Sequence, residues 1–341
     1  MRRSQSVAIA FVVALAAGTT LLLSSTGFDV ARAFGALIRG SVGSWYAFGS
    51  GTLVRATPLI LTGLAVAVAF RAGVFNIGAE GQFVVGAVAA TWVALTCGTL
   101  PRPLTIPLVL AAGGVAGGMW AGIASWLRIR FRVLEVISTI MLNFIAAFAV
   151  SYLVRGPMQE PTHVYPQTET IAASAQLPRL GSTTRLHAGF LVAVVACAVV
   201  WWYVRFTAAG FRLRAVGANP DAARSAGRID VTRVSHRAFV ASGALAGIAG
   251  AIEVSGVTFA LYENISPGYG YTAIAVAMLA RLDALGVILT GTVFGALEAG
   301  ATAMQRDAGV PSVVVSVVEA CIILALVALG RVRVTQSGGA R

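Results

Sequence analysis

No lysine occurs anywhere in the 341 residues, so the chain cannot carry a Walker A loop, whose lysine grips nucleotide phosphates. It has no Gly-x-Ser-x-Gly elbow and no His-Glu-x-x-His pair either, which removes two common hydrolase classes. Charge is scarce: 11% of residues are charged, where an ordinary soluble domain has about 25%. With 57% hydrophobic residues and a mean hydropathy of +0.84, little room is left for a water-soluble enzyme. The three cysteines, Cys97, Cys197 and Cys321, lie far apart, each in or beside an apolar run. That argues against a disulfide framework or a zinc site and for buried thiols acting as small hydrophobes. His163, His187 and His236 all fall at loop edges, where surface roles are expected. The 25 basic residues are all arginine, against 13 acids, for a net charge of +12. They sit between apolar runs rather than beside stacking aromatics, so they read as topology signals at a lipid surface and not as a nucleic-acid footprint.

A hydrocarbon core about 30 Å thick needs roughly 20 apolar residues of helix. Such stretches fall near 6–26, 52–70, 73–96, 104–127, 133–154, 188–205, 238–257, 269–281, 285–305 and 312–330. The expectation is an all-α polytopic membrane protein of about ten spans, the eighth too short to cross unaided, forming a single transmembrane domain over 1–341. Met1-Arg2-Arg3 and the first run resemble a secretory signal, but the run is long and Ala31-Arg32-Ala33 lies well beyond it. An uncleaved anchor is therefore expected. With both termini inside, 17 of the 25 arginines fall in cytoplasmic segments, including seven in the 206–237 loop and its edges. The outer loop 155–187 holds Pro157, Pro161, Pro166 and Pro178 and is expected to be irregular or to carry a short surface helix.

Lipid tails give helices no hydrophobic reason to associate, so close packing of small residues must do it. Gly113, Gly114, Gly117, Gly118 and Gly122 supply such a face on the fourth span, Gly243, Gly247 and Gly250 on the seventh, and Gly291 and Gly295 on the ninth. Two places break the helical pattern: Gly73 to Gln82, and Ser266 to Thr272. Irregular backbone at membrane depth requires protein or a water-filled cavity around it. Spans two to five and seven to ten would form two inverted repeats, each interrupted at its second element, as at a transporter's translocation path. Five acids lie within spans: Glu80, Glu135, Glu253, Glu298 and Glu319. A charge at bilayer depth costs at least about 2.5–3.5 kcal/mol, so each needs a partner, a cavity or the aqueous edge. Glu135 is within a turn of Arg128–Arg132 and is expected to pair there; Glu319 is expected to be held by another helix. Asn76, Glu80, Gln82, Asn143, Glu253 and Glu298 are the candidates for a polar path taking a neutral hydroxylated or amide-bearing solute.

In the basic loop, Asn219 suits a helix N-cap, Pro220 the first turn, Asp221 the positive end, and Gly227 a stop. Ala222, Ala223 and Ala226 favour helix, with Arg224 on the other side. A helix this short is marginal alone. It lacks the large apolar residues of a lipid-surface helix, so it fits a groove on a soluble partner.

Three segments now carry a resemblance: FNIGAEGQFVVGA (75–87), EVISTIMLNFIA (135–146) and GFRLRAVGANPDAARSAGRIDV (210–231). Together they resemble permease subunits of ABC importers in the branched-chain amino acid, ribose and nucleoside permease family, most of all its simple-sugar and nucleoside permeases, from about residue 50 to 330. The resemblance implies that Asn219 to Gly227 is a coupling helix docking on a cytoplasmic ATPase. It also implies that Asn76 to Gln82 lines the pathway, and that ATP and Mg are bound by the partner while this chain holds no cofactor. A second permease chain, with a heterodimer favoured, and a substrate-binding lipoprotein complete the implied assembly in a bacterial cell membrane. Relatives commonly carry Gly-Arg and then Pro-Leu-Gly after the eighth span; here the sequence is Ala280-Arg281-Leu282-Asp283-Ala284-Leu285-Gly286. An ion- or proton-coupled secondary transporter would equally fit the inverted repeats and buried acids, although it has no use for the basic helix. An intramembrane enzyme lacks a nucleophile and base.

Overall fold

The computed structural model describes residues 17–337 apart from 22, 23, 26 and 228. Helix dominates them, and the only β-type pairings are isolated bridges at Gln167–Tyr262 and Arg179–His187. The helices are α1 (Val30–Val42), α2 (Val54–Arg71), α3 (Ala79–Thr96), α4 (Arg102–Phe131), α5 (Glu135–Val154) and α6 (Gly189–Phe206). They continue as α7 (Ala208–Ala218), α8 (Pro220–Gly227), α9 (Val231–Glu253), α10 (Tyr269–Leu279), α11 (Gly286–Ala308) and α12 (Ser312–Ser337). π-helical turns extend α2 backwards over Ala47–Leu53 and α9 forwards over Val254–Thr258. Seven of these rods are long and apolar enough to cross a membrane: α2 and α9 with their π turns, α3, α4, α5, α6 and α11. α10, at 11 residues, and the apolar Ser312–Ala325 part of α12 are shorter. The expected first span, 6–26, lies mostly outside the described residues, as does the side chain of Glu319.

The chain folds as two compact units, one of residues up to Ala56 with Thr292 onward, the other Thr57–Gly291. The first is organised by an element that hydropathy does not reveal. α1 has only 13 residues and carries Arg32 and Arg39, yet it buries Ala33 and Ala36 and packs with Met304, Val315 and Val318. Asp29 caps it by accepting from the Arg32 amide at 3.1 Å. In the same unit, Gly295 of α11 rests on the Ala56 and Thr52 backbone.

The second unit is built on a glycine seam. A methyl group added at Gly247 would collide with the Gly113 carbonyl, and one at Gly117 or Gly243 would collide with the opposite helix's backbone. The small faces expected on these two helices are close-packed, and the structure makes α4 and α9 each other's partner, backbone to backbone. α3 joins them through Gly86 against Gly247, and Gly250 against the Phe83 carbonyl. Gly122 is looser, with nothing nearer than 3.9 Å.

Three expectations need correction. α9 starts at Val231 rather than 238, because Asp230 caps it there, accepting from the Arg233 amide at 2.9 Å. The basic segment is therefore mostly helical: α7, unforeseen, precedes the foreseen α8. The third span begins at Ala79 rather than 73, since residues 72–78 are non-helical. His187 is not on the surface. It is 1% exposed, its ring lies against Gly189 and Gly256, and both ring nitrogens are without a partner. This burial pushes its pKa down from 6.5 to about 4. The outer segment is irregular, with one 3-10 turn at Ala173–Ala175, and it is zipped to the end of α9. Thr168 N–H donates to Leu261 O at 2.9 Å, Ile171 N–H to Phe259 O at 2.8 Å and Leu177 N–H to Ser255 O at 2.8 Å. Arg155 clamps the same region by a two-pronged pair with Glu263, at 2.7 and 2.9 Å, and Ser151 donates to that carboxylate too. With Arg155 and Ser151 as donors, the Glu263 carboxyl is held down at about 2.

Candidate functional site

α2 stops at Arg71, and the chain turns back through Gly73, whose φ of +74° suits glycine. It then runs unwound to Ala79. Backbone groups that lose their helical partners at this depth must be satisfied otherwise, and side-chain amides take over. Asn76 Oδ1 accepts from the Gly78 amide at 2.9 Å, and Asn76 exchanges two hydrogen bonds with Gln82 at 2.8 and 3.0 Å. Asn76 Nδ2 also donates to Ser242 Oγ at 2.8 Å, and Ser242 donates to the Ala65 carbonyl at 2.6 Å. Asn143 of α5 does the same job one step on: its Oδ1 accepts from the Gly81 amide at 2.9 Å and its Nδ2 donates to Ile77 O at 2.9 Å. The network is sealed, with Asn76 at 0%, Gln82 at 1% and Asn143 at 4% exposure.

The two breaks meet. Glu80, half-buried at the start of α3, accepts from the Gly270 amide at 2.7 Å and hydrogen-bonds Ser266. Gly270 lies so close to Glu80 that any side chain there would strike its backbone. Asn143 Nδ2 reaches the Tyr271 hydroxyl at 3.3 Å, and Phe83 stacks obliquely on Tyr269 with centroids 5.7 Å apart. Ser266 caps the second break, accepting from the Gly268 and Tyr269 amides at 3.1 Å each.

Of the six path candidates, the structure brings together Asn76, Gln82, Asn143 and Glu80. Glu253 is buried at the end of α9, 11 residues beyond Ser242, or ~16 Å along a helix. Glu298 is half-buried on α11 in the other unit. Ser266, Gly270 and Tyr271 of the expected second break join the network, and Ser242 is the member that the sequence did not mark. Ser242 sits unmarked in a run of alanines and glycines, and only its position opposite a break distinguishes it. Glu135 pairs with Arg128 at 3.3 Å, as its spacing suggested.

The basic segment has the local structure its residues dictate. Asn219 Oδ1 accepts from the Asp221 and Ala222 amides at 3.0 Å each, starting α8 at Pro220. Asp221 and Arg224 pair at 3.2 Å on the exposed side, while Ala223 is buried. The side chain of Ala226 lies outside the described set. α7 is pressed onto the end of α2: Gly217 abuts the Arg71 carbonyl, and Gly73 faces the Gly217 backbone at 3.5 Å from its would-be Cβ. The 280–286 turn is held although it lacks proline. Arg281 and Leu282 take φ of 56° and 60°, and Asp283 accepts from the Gly286 amide at 2.8 Å. Among the described residues, no group of three or more His, Cys, Asp or Glu side chains could hold a metal ion.

Multiple apolar rods, helix breaks braced against each other and a helical basic segment define a multi-pass membrane protein of transporter type. Residues 49–327 match the family model described as the branched-chain amino acid transport system permease component, and the chain belongs to that family. It is 41% identical to the guanosine ABC transporter permease protein NupP of Bacillus subtilis, over 93% of this chain and 90% of the relative. It is 39% identical to the glucose ABC transporter permease protein TsgB13 of Haloferax volcanii, over 93% and 85%. The nucleoside ABC transporter permease protein NupB of Lactococcus lactis is 34% identical over 92% and 88%.

Proposed function

We propose that this permease forms half of the pathway of an ATP-driven importer for nucleosides or simple sugars. Its relatives' stated cargoes support the solute class. In this reading the whole chain acts as one transmembrane domain of about ten spans in two inverted repeats, with both termini cytoplasmic. It is non-catalytic and docks an ATPase that binds ATP and Mg; a second, related permease chain and a binding lipoprotein complete the importer. Asn219 to Gly227 is the coupling helix. Asn76, Gln82 and Asn143 shape the wall of the path, and Glu80, with Glu253 and Glu298, supplies carboxylates along it.

One observation carries the mechanism: the backbone contact of Gly217 with Arg71 and Gly73. α8 follows α7 with only Asn219 between them, so force on α8 passes through α7 to the end of α2 and into the 72–78 break. Movement there shifts Asn76, and with it Gln82 and Ser242. The amide network, through Asn143 and Tyr271, then carries the change to the second break. A small displacement at the ATPase thus re-aims both interrupted elements together.

The test is uptake of labelled guanosine and glucose, each with unlabelled competitors, by cells making the assembled importer. Asp221→Arg with Ala223→Trp abolishes uptake and loosens the ATPase while the chain still inserts. Retention of both would remove the coupling assignment. Solute accumulation by vesicles holding this chain alone, driven by an ion gradient, would establish a secondary transporter instead.

A further inference from the structure

Where α4, α8 and α9 converge, a cavity of about 260 Å³ is lined by Ser125, Arg128 and Ile129, by Arg224, and by Thr232 and His236 among others. No carboxylate lines it among the described residues. Arg128 spends its Nε on Glu135 at 3.3 Å and Arg224 its Nη1 on Asp221 at 3.2 Å. Each guanidinium has five N–H donors, so both keep donors for a further ligand. Ser125 Oγ lies 2.8 Å from His236 Nδ1, which fixes the imidazole against the wall. Two cations, hydroxyls and an imidazole around a space of this size suit a phosphate group.

A second observation identifies the source of that phosphate. Val115, Met119, Ile123, Trp126 and Ile129 of α4 are all exposed. Their spacing of four, four, three and three residues places them on one face of the helix. Ile129 belongs both to this stripe and to the cavity. An apolar track leading into a cationic cavity is the shape of a phospholipid. Basic pockets between transmembrane helices bind anionic headgroups, and a soluble phosphate has no use for the track.

We propose that this cavity binds the phosphate of an anionic phospholipid whose acyl chains lie along the α4 stripe. The headgroup bridges α4 and α9 to Arg224 of α8, tying the basic helix to the lipid. The site shares Arg224 with the proposed coupling helix, but its test reads lipid binding and requires neither the ATPase nor transport.

The experiment measures lipid retained by the purified chain in native mass spectrometry, after exchange into phosphatidylglycerol or phosphatidylcholine. About thirtyfold preference for phosphatidylglycerol is expected from two arginines at the lipid surface. Arg128→Gln with His236→Leu removes that preference; the variant loses the Glu135 pair and the Ser125 hydrogen bond and melts lower, but it still elutes as a folded, monodisperse chain in phosphatidylcholine. Arg130→Gln, on the same helix end but outside the cavity, keeps it. Equal retention by the double variant overturns the site, and equal loss in Arg130→Gln reduces it to diffuse surface charge. Protection from heat by inorganic phosphate as strong as that by phosphatidylglycerol assigns the cavity to a soluble anion and overturns the lipid. Should the double variant not fold, Thr232→Val with His236→Gln tests the same wall by the same readouts.

Discussion

The glycine seam and the 72–82 break are neighbours in one unit, and they solve opposite problems. At the seam, α4 and α9 are unbroken helices, so they need only approach closely. Gly113, Gly117, Gly243 and Gly247 permit it by having nothing to interpose. At the break, backbone leaves the helix, and Asn76, Gln82 and Asn143 must replace the bonds that were given up. The seam is held by the absence of side chains and the break by their presence. Substitutions therefore fail for different reasons: at the seam through added volume, at the break through lost partners.

The sharpest way to break this contrast is Gly247→Val. Its branched carbon would overlap the Gly113 carbonyl, and two helices would have to separate along their contact. Overpacking costs typically 1–3 kcal/mol where neighbours can yield, and rigid backbone yields less. We expect loss of monodisperse protein on size exclusion, while Gly122→Ala, whose added methyl meets only Val240 at 3.9 Å, elutes as wild type. Normal recovery of Gly247→Val would show that the seam is not close-packed.

Next in size is Asn76→Ala. It strands the Gly78 amide and both ends of the Gln82 amide in a fully buried site, and takes one partner from Ser242, whose hydroxyl still donates to Ala65 O. An unsatisfied buried group costs about 1–3 kcal/mol, so the chain should insert normally but melt several degrees lower, with uptake impaired. Ser242→Ala removes one arm only and should fall between this variant and wild type. A melting temperature equal to wild type for Asn76→Ala would mean that the network does not brace the break.

The same contrast explains what the sequence could disclose. Small residues at helical spacing have one physical meaning in lipid, so the α4 and α9 faces could be read directly. Asparagine, glutamate and glutamine in an apolar run are ambiguous: they mark a break, a path, or both. Asn76, Gln82 and Asn143 were found by type, yet their bracing role depends on partners such as Ser242 and Tyr271, remote in sequence. α1 escaped because an amphipathic stretch of 13 residues with two arginines does not register in span-length hydropathy. His187 was misplaced because loop position says nothing of what closes over it; Gly189 and Gly256 leave a slot that its ring fills.

His187 offers a third, smaller test, since it is a buried polar side chain that received no partner. Its folded pKa is about 4 against an ordinary 6.5. Below pH 6.5 the unfolded chain takes up a proton that the folded chain refuses, so stability is lost as pH falls from 6.5 towards 4. At pH 5 the loss is about 2 kcal/mol. His187→Phe should flatten the melting temperature over that window. Glu263, held near 2 by Arg155 and Ser151, acts in a lower one: its contribution is present above the usual carboxyl range and fades as pH falls through 2. An unchanged pH profile for His187→Phe would place the acid sensitivity elsewhere.

The smallest effect is the most discriminating, because it compares one residue type doing one local job in two surroundings. Asn219 Oδ1 accepts from an amide two residues ahead at 3.0 Å, as Asn76 Oδ1 does at 2.9 Å. Asn219 is exposed, so water takes its place when it is removed; losing such a cap costs about 1 kcal/mol. Asn219→Ala should therefore fray α8 locally, seen as faster amide hydrogen exchange over 221–224, without moving the global melting temperature. Asn76→Ala should do the reverse and lower the melting temperature of the whole unit. Equal effects from the two alanines would mean that water reaches the 72–78 segment, and the amides would then face the path directly rather than brace its wall from behind.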